Sequence, residues 1–321
     1  MTSHRETDNF FSNLQTVVSE SGAEREAAEH IRKLPCWSKP IELKVLPGGL
    51  SNINFVVTTA GSQYVVRYGA DLPDYGSYRW KEAAALRAAS AAGVAPRVIF
   101  AAETAIVMEF LEGRALTPPD VRNQQTLDLI VSALRTLHRQ AANQLNSVDI
   151  MFWPFHHCRW YLKQALARSD LLDPRWRPIA QRMQSQVEPL ERAVGAVSIV
   201  FGHGDLAPQN IMLHQDCVKF VDMEYSGFAP DLFDLAGLAL NCEFDDATSN
   251  YLLESYYGAR VTPQLLRRFQ AMVLIAGLRE SAWSFKSETA QRSIAFDFCE
   301  YSKYCVDRQE RLEARFNQLD L

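Results

Sequence analysis

The stretch HGDLAPQNIMLHQDCVKFVDMEY, residues 203–225, decides how this chain is read. Its opening, His203-Gly204-Asp205-Leu206-Ala207-Pro208-Gln209-Asn210, sets a carboxylate and an amide five residues apart in a loop that Gly204 and Pro208 keep out of helix. Residues 211–213 and 218–221 then flank a turn at 214–217 as a short hairpin, with Asp222 at its exit, twelve residues past Asn210. A hairpin returns its two ends to one place, so Asn210 and Asp222 are expected side by side. Two hard oxygen ligands there suit a magnesium ion already held by substrate phosphates. Asp205 would stand across from that metal, placed to accept the hydroxyl proton of an attacking alcohol. Asp and Asn are also common turn formers and caps, and H-G-D alone is weak. Order, spacing and the intervening hairpin together carry the phosphoryl-transfer reading.

Working outward, the 321 residues suffice for one large core or two modest ones, and 47% hydrophobic content is that of a globular protein. A net charge of −5 leaves no positive field to hold nucleic acid, so a small substrate, especially a cationic one, fits better. The first residues are polar and no stretch approaches the ~18 apolar residues of a membrane helix, which predicts a cytoplasmic protein with no membrane insertion. Six scattered cysteines without a C-x-x-C pair read as reduced thiols.

The pattern predicts an α+β, bilobal fold. An amphipathic helix over 20–34 ends at Pro35 and is followed by short apolar runs at 41–46, 53–58, 64–68, 97–101 and 105–110. These make an antiparallel sheet of about five strands, interrupted by an alanine-rich helix over 78–92 that Gly93 closes. From 111 to 321 the character is helical, with stretches at 127–140, 160–167, 179–194, 248–257, 263–285 and 294–315, and the hairpin after Asn210 is the one clear β signal among them. The expected division is therefore a nucleotide-binding lobe over 1–110 and a catalytic and substrate-binding lobe over 111–321.

The run from 201 to 236, with H-G-D-L-A-P-Q-N-I-M-L, V-K-F-V-D-M-E-Y-S-G and F-D-L-A, closely resembles the choline and ethanolamine kinase branch of the aminoglycoside-phosphotransferase-like superfamily, which has the protein-kinase fold. The resemblance implies ATP and Mg2+ as cofactors, Asp205 as catalytic base, Asn210 and Asp222 as metal ligands, and Asp234 as a buried brace of the catalytic loop. His203 reads as a loop-packing residue, and His138 as packing of the helix behind that loop. Glu224, in the D-x-E-Y form typical of the choline kinase branch, is open between assisting a second metal or the substrate and a brace or surface role.

In the first half, Pro47-Gly48-Gly49-Leu50-Ser51-Asn52 resembles the family's phosphate-covering turn, which would place Gly49, Ser51 and Asn52 at the nucleotide; by spacing alone it is a plain tight turn. Arg67 ends a strand where protein kinases keep lysine, and its planar fork suits phosphate. Glu82 is its expected partner, the alternative being a solvated helix position. Glu109 and Leu111 fall at the expected hinge, where backbone groups would meet adenine. For the acceptor, the resemblance points to Glu243, Trp283 and Tyr301. Aromatics at helical spacing are also ordinary core. Glu280 stands where animal choline kinases tend to carry a second tryptophan, which tilts the expectation toward ethanolamine or another primary amino alcohol.

The resulting expectation is an ATP-dependent kinase of a small, cationic alcohol. A kinase of thiamine, an aminoglycoside or a sugar, and a catalytically inactive nucleotide-binding module, stay as alternatives. Oligomeric state is left open, a homodimer included.

Overall fold

The computed structural model describes residues 22–47, 52–145, 150–290 and 296–316. Five antiparallel strands open the fold: β1 (Glu42–Leu46), β2 (Ile53–Thr59), β3 (Ser62–Tyr68), β4 (Val98–Ala101) and β5 (Ala105–Glu109), in the order β1-β2-β3-β5-β4. Strand periodicity sends alternate residues to opposite faces. Val66, Ala105 and Val107 pack under α1 (Gly22–Arg32) with its Ala27 and Ile31, while Ile106 and Met108 face α2 (Arg79–Ala91) and its Ala85, Leu86 and Ala89. Arg67, one residue after Val66, therefore points to the α2 side, which is where Glu82 is found.

The α2 side of the sheet is continuous with the core of the helical half. That half is built on α9 (Pro263–Ala290), against which α5 (Pro154–Ala167), α6 (Trp176–Val194), α7 (Asp231–Asn241) and α10 (Phe298–Phe316) pack, with α3 (Pro118–Arg122), α4 (Gln124–Gln140) and α8 (Asp246–Tyr257) completing its described helices. A helix surrounded this way has to be apolar on most sides, and α9 buries nearly every residue from Phe269 to Ser287. Arg279 and Lys286 are charged exceptions within that span.

The hairpin expected after Asn210 is present as β8 (Ile211–His214) and β9 (Cys217–Phe220). Its turn is two residues long, not four, because Gln215 and Asp216 both take positive φ, 48° and 61°, as a type I′ turn requires. It is not alone among the helices. β6 (Arg114–Ala115) pairs with β8, and β7 (Ile199–Gly202) pairs with β10 (Gly227–Pro230). Those strands are two to four residues long, too short for alternation to register in the sequence. The hairpin is tied to the first half where Phe220 N–H donates to Val94 O at 2.7 Å and Lys219 Nζ to Gly93 O at 2.6 Å. Among the described residues no helix is long and apolar enough to cross a membrane.

Candidate active site

The loop that carries Asp205 leaves β7 and is held from behind. Asp234, near the start of α7, accepts from His203 N–H at 2.7 Å, Gly204 N–H at 2.9 Å and the His138 ring at 2.9 Å. Burial pushes the Asp234 carboxyl up, yet the bonds from His138 and the backbone outweigh it and hold the carboxyl below its ordinary value. His138 passes the chain on through its other nitrogen, 2.6 Å from Tyr256 Oη. His203 sits between loop and hairpin, its Nε2 2.9 Å from Val221 O and its Nδ1 accepting from Asp205 N–H at 3.3 Å. Gly204 has φ +79°, and a Cβ there would stand 2.3 Å from Tyr225 O, so only glycine fits.

Asn210 and Asp222 meet as the hairpin predicts: Val221 N–H donates to Asn210 O at 3.0 Å. The Asn210 amide nitrogen donates to Asp205 O at 3.0 Å, leaving its oxygen as the side chain's remaining donor for a metal. Asp222, at φ 60°, receives Arg67 Nη2 on Oδ1 at 2.7 Å. One amide oxygen and one half-exposed carboxylate fit a magnesium ion, which keeps waters and takes phosphate oxygens for its other ligands. No group of three or more His, Cys, Asp or Glu that could hold a metal by itself occurs among the described residues.

Arg67 is the centre of a buried charge cluster. Its Nε lies 2.6 Å from Glu82 Oε1, and Arg79 Nη1 takes the other Glu82 oxygen at 2.7 Å. Glu224 turns toward this cluster, 3.9 Å from Arg67 and 3.7 Å from Arg79, and accepts from Asn52 Nδ2 and Ser77 Oγ at 3.3 Å each. Burial raises Glu224 to about 7, with Asp222 adding to the rise and Arg67 opposing it. Its contacts are those of a brace between the two halves. Glu109, the last residue of β5, donates its N–H to Arg97 O at 2.9 Å, and the buried Leu111 follows at the join of the two halves. Gly49 and Ser51 lie outside the described residues.

On the opposite side of the loop, Asp205 Oδ1 is 3.2 Å from Arg279 Nη1, whose other carboxylate neighbour is Glu280 at 3.3 Å. Enclosure raises Asp205 to about 6; Arg279 opposes the rise, while Glu280 and Asp222 add to it. Glu280 also accepts from Tyr301 Oη. Trp283 donates to Tyr225 Oη at 3.1 Å and meets Tyr75 and Tyr301 edge-on, each with ring centres 6.2 Å apart.

Glu280, Trp283 and Tyr301 are thus brought together, but Glu280 is not the open acceptor for an ammonium group that the sequence suggested, because Arg279 and Tyr301 already hold it. Glu243 lies elsewhere. It lines a cavity of about 200 Å³ with Phe244, Arg308 and Arg315, toward the far end of α10 from Tyr301. Arg79 and Arg279 were missed in the sequence. Their signals were available: Arg79 stands three residues before Glu82, and Arg279 interrupts the run L-I-A-G-L before Glu280.

The sequence model of the phosphotransferase enzyme family (APH) matches residues 42–270. Ethanolamine kinase 2 of Rattus norvegicus is 23% identical over 250 residues, which is 71% of this chain and 64% of the rat protein. The chain thus spans less than two thirds of that relative. The crystal structure of a choline/ethanolamine kinase family protein from Mesorhizobium loti superposes with a TM-score of 0.72 at 23% identity, covering 90% of this chain and 94% of the other. A structure of LicA in complex with AMP gives 0.67 at 20% identity, covering 91% and 99%. At those identities the structures establish the bilobal, protein-kinase-like fold. With the family's sequence model matched from β1 well into α9, the chain belongs to the APH phosphotransferase enzyme family.

Proposed function

We propose that this chain transfers the γ-phosphoryl group of ATP to the hydroxyl of a small amino alcohol of the choline or ethanolamine type. The observation that carries the reading is the convergence of three groups on one loop and hairpin: Asp205, Asn210 tied to its backbone at 3.0 Å, and Asp222 held by Arg67 at 2.7 Å. Phosphoryl transfer needs mainly alignment and charge neutralisation, so a base, a pair of metal ligands and a phosphate-binding cation form a sufficient set.

In this reading the residues up to 110 hold the nucleotide and those from 111 onward present the acceptor. Asn210 and Asp222 would hold magnesium, which supplies charge neutralisation at the phosphates when bound. Arg67 orients phosphate oxygens and is itself steadied by Glu82. Asp205 accepts the proton of the attacking hydroxyl. The retention of all four groups opposes the inactive-module alternative, and the amino-alcohol class follows the choline and ethanolamine kinases among the relatives.

The test is ADP release from ATP and magnesium with choline, ethanolamine, thiamine and an aminoglycoside, the phosphorylated product being identified by mass. Nucleotide binding without turnover of any alcohol would overturn the reading.

A further inference from the structure

The acceptor side of Asp205 carries more positive charge than a site for a simple amine requires. Arg279 is only 4% exposed, and its Nη1 bridges Asp205 and Glu280 at 3.2 and 3.3 Å. Its guanidinium carbon lies 4.5 Å from the centre of the Tyr225 ring, so it already covers the aromatic face that a quaternary ammonium would use. Its Nε and Nη2 are shielded from solvent and make no hydrogen bond among the described residues. Buried donors without acceptors are rare, and a guanidinium edge is shaped for the two oxygens of a carboxylate.

Seven residues on, Lys286 is also buried on α9, with Nζ 4.4 Å from the centre of the Tyr75 ring. Tyr75 stands edge-on to Trp283. Arg279 thus sits against both Asp205 and Glu280, and Lys286 adds a second buried cation on the same helix, so the acceptor side is not the purely negative surface that a bare cation would seek. A bare cation entering there gains little attraction and is repelled by Arg279. A molecule that carries both signs can satisfy the two adjacent side chains together.

Resting on the phosphotransferase reading above, we propose that the acceptor is an amino alcohol that also bears an acidic group, a zwitterionic hydroxy amino acid. Its carboxylate takes the unmatched N–H groups of Arg279, which draws that guanidinium off the Glu280 oxygen it shares and lets the ammonium pair there, with the hydroxyl presented to Asp205. In the transfer the hydroxyl oxygen forms a bond to the γ-phosphorus as the bond to the β-bridging oxygen breaks. The hydroxyl proton passes to Asp205, and the products are ADP and a phosphate monoester.

The experiment compares matched pairs that differ by one carboxylate, serine with ethanolamine and homoserine with 3-amino-1-propanol, with choline alongside. kcat/KM is measured by ADP release on the full chain with ATP and magnesium. The acid-bearing member of at least one pair is expected to win by about tenfold or more, the discrimination one buried charged contact supplies. Arg279→Met is expected to bring that ratio to one or below, and Arg279→Lys to restore part of it. A ratio is insensitive to general loss of fold, and if Arg279→Met does not fold the wild-type ratios decide. Turnover of ethanolamine or choline with neither amino acid favoured overturns the proposal and leaves the kinase reading standing. ATP binding with no turnover of any of these alcohols overturns both.

Discussion

Arg67 on the third strand of the sheet and Asp222 beyond the hairpin, 155 residues apart, meet with Nη2 and Oδ1 at 2.7 Å. This ion pair joins the proposed phosphate-binding cation to the proposed metal ligand, so the two halves of the molecule share one charge cluster. Glu82 and Glu224 complete it from α2 and from the segment after the hairpin.

Glu82 is fully buried between Arg67 and Arg79. Removing one partner of a buried ion pair leaves the other charge uncompensated and costs about 3–5 kcal/mol. Glu82→Ala is accordingly expected to lower the unfolding free energy from urea titration by that amount, with a lower midpoint, and to weaken ATP binding, since Arg67 loses its anchor. An unchanged midpoint would show that Arg67 does not depend on Glu82.

Asp205→Asn keeps the size of the side chain and its Arg279 contact surface but removes the proton acceptor. Turnover is expected to drop by about 10²–10⁴-fold, the usual contribution of a general base. ATP affinity, measured by calorimetry, stays within a few fold. A parallel loss of ATP affinity would assign Asp205 to binding.

The Asp205 carboxyl is raised to about 6, first by enclosure, with Glu280 and Asp222 adding to the rise and Arg279 opposing it. A base works in its ionised form, so kcat/KM rises as pH passes upward through about 6 and levels above it. Arg279→Met removes the opposing influence and is expected to move that limb to higher pH. A profile flat from pH 5 to 8 would exclude Asp205 as the titrating base.

Gly204 combines φ +79° with a neighbouring carbonyl, Tyr225 O, that a Cβ would approach to 2.3 Å. Gly204→Ala is expected to lower the melting temperature and to abolish most turnover, because the loop must shift and Asp205 with it. The far-UV circular dichroism spectrum remains that of the wild type. Normal activity in this variant would mean that the loop adapts freely.

The parts of the site that were legible in the sequence are those built by local geometry. A hairpin brings its ends together whatever surrounds it, so Asn210 and Asp222 could be paired from spacing alone. The pairing of Arg67 with Glu82 followed instead from the family resemblance, with a solvated helix position as the alternative for Glu82. Asp234 was reached through its F-D-L-A motif. The short pair β7 and β10 escaped notice because four residues, with Gly227 and Pro230 ending the second strand, carry no periodic signal. Glu224 stayed undecided because its partners Asn52, Ser77 and Arg79 come from more than 140 residues away.

By itself the sequence determined the sheet-then-helix architecture and the loop and hairpin that carry the proposed catalytic residues, because short-range periodicity and turn chemistry act within a few residues. Only the tertiary structure decided what faces Asp205 from the acceptor side. Arg279 lies 74 residues away on α9, and whether a charge inside an apolar helix pairs with a carboxylate, stacks on an aromatic ring or meets a ligand depends on which elements pack against that helix. That packing turned Glu280 from an open acceptor into one already held by Arg279 and Tyr301.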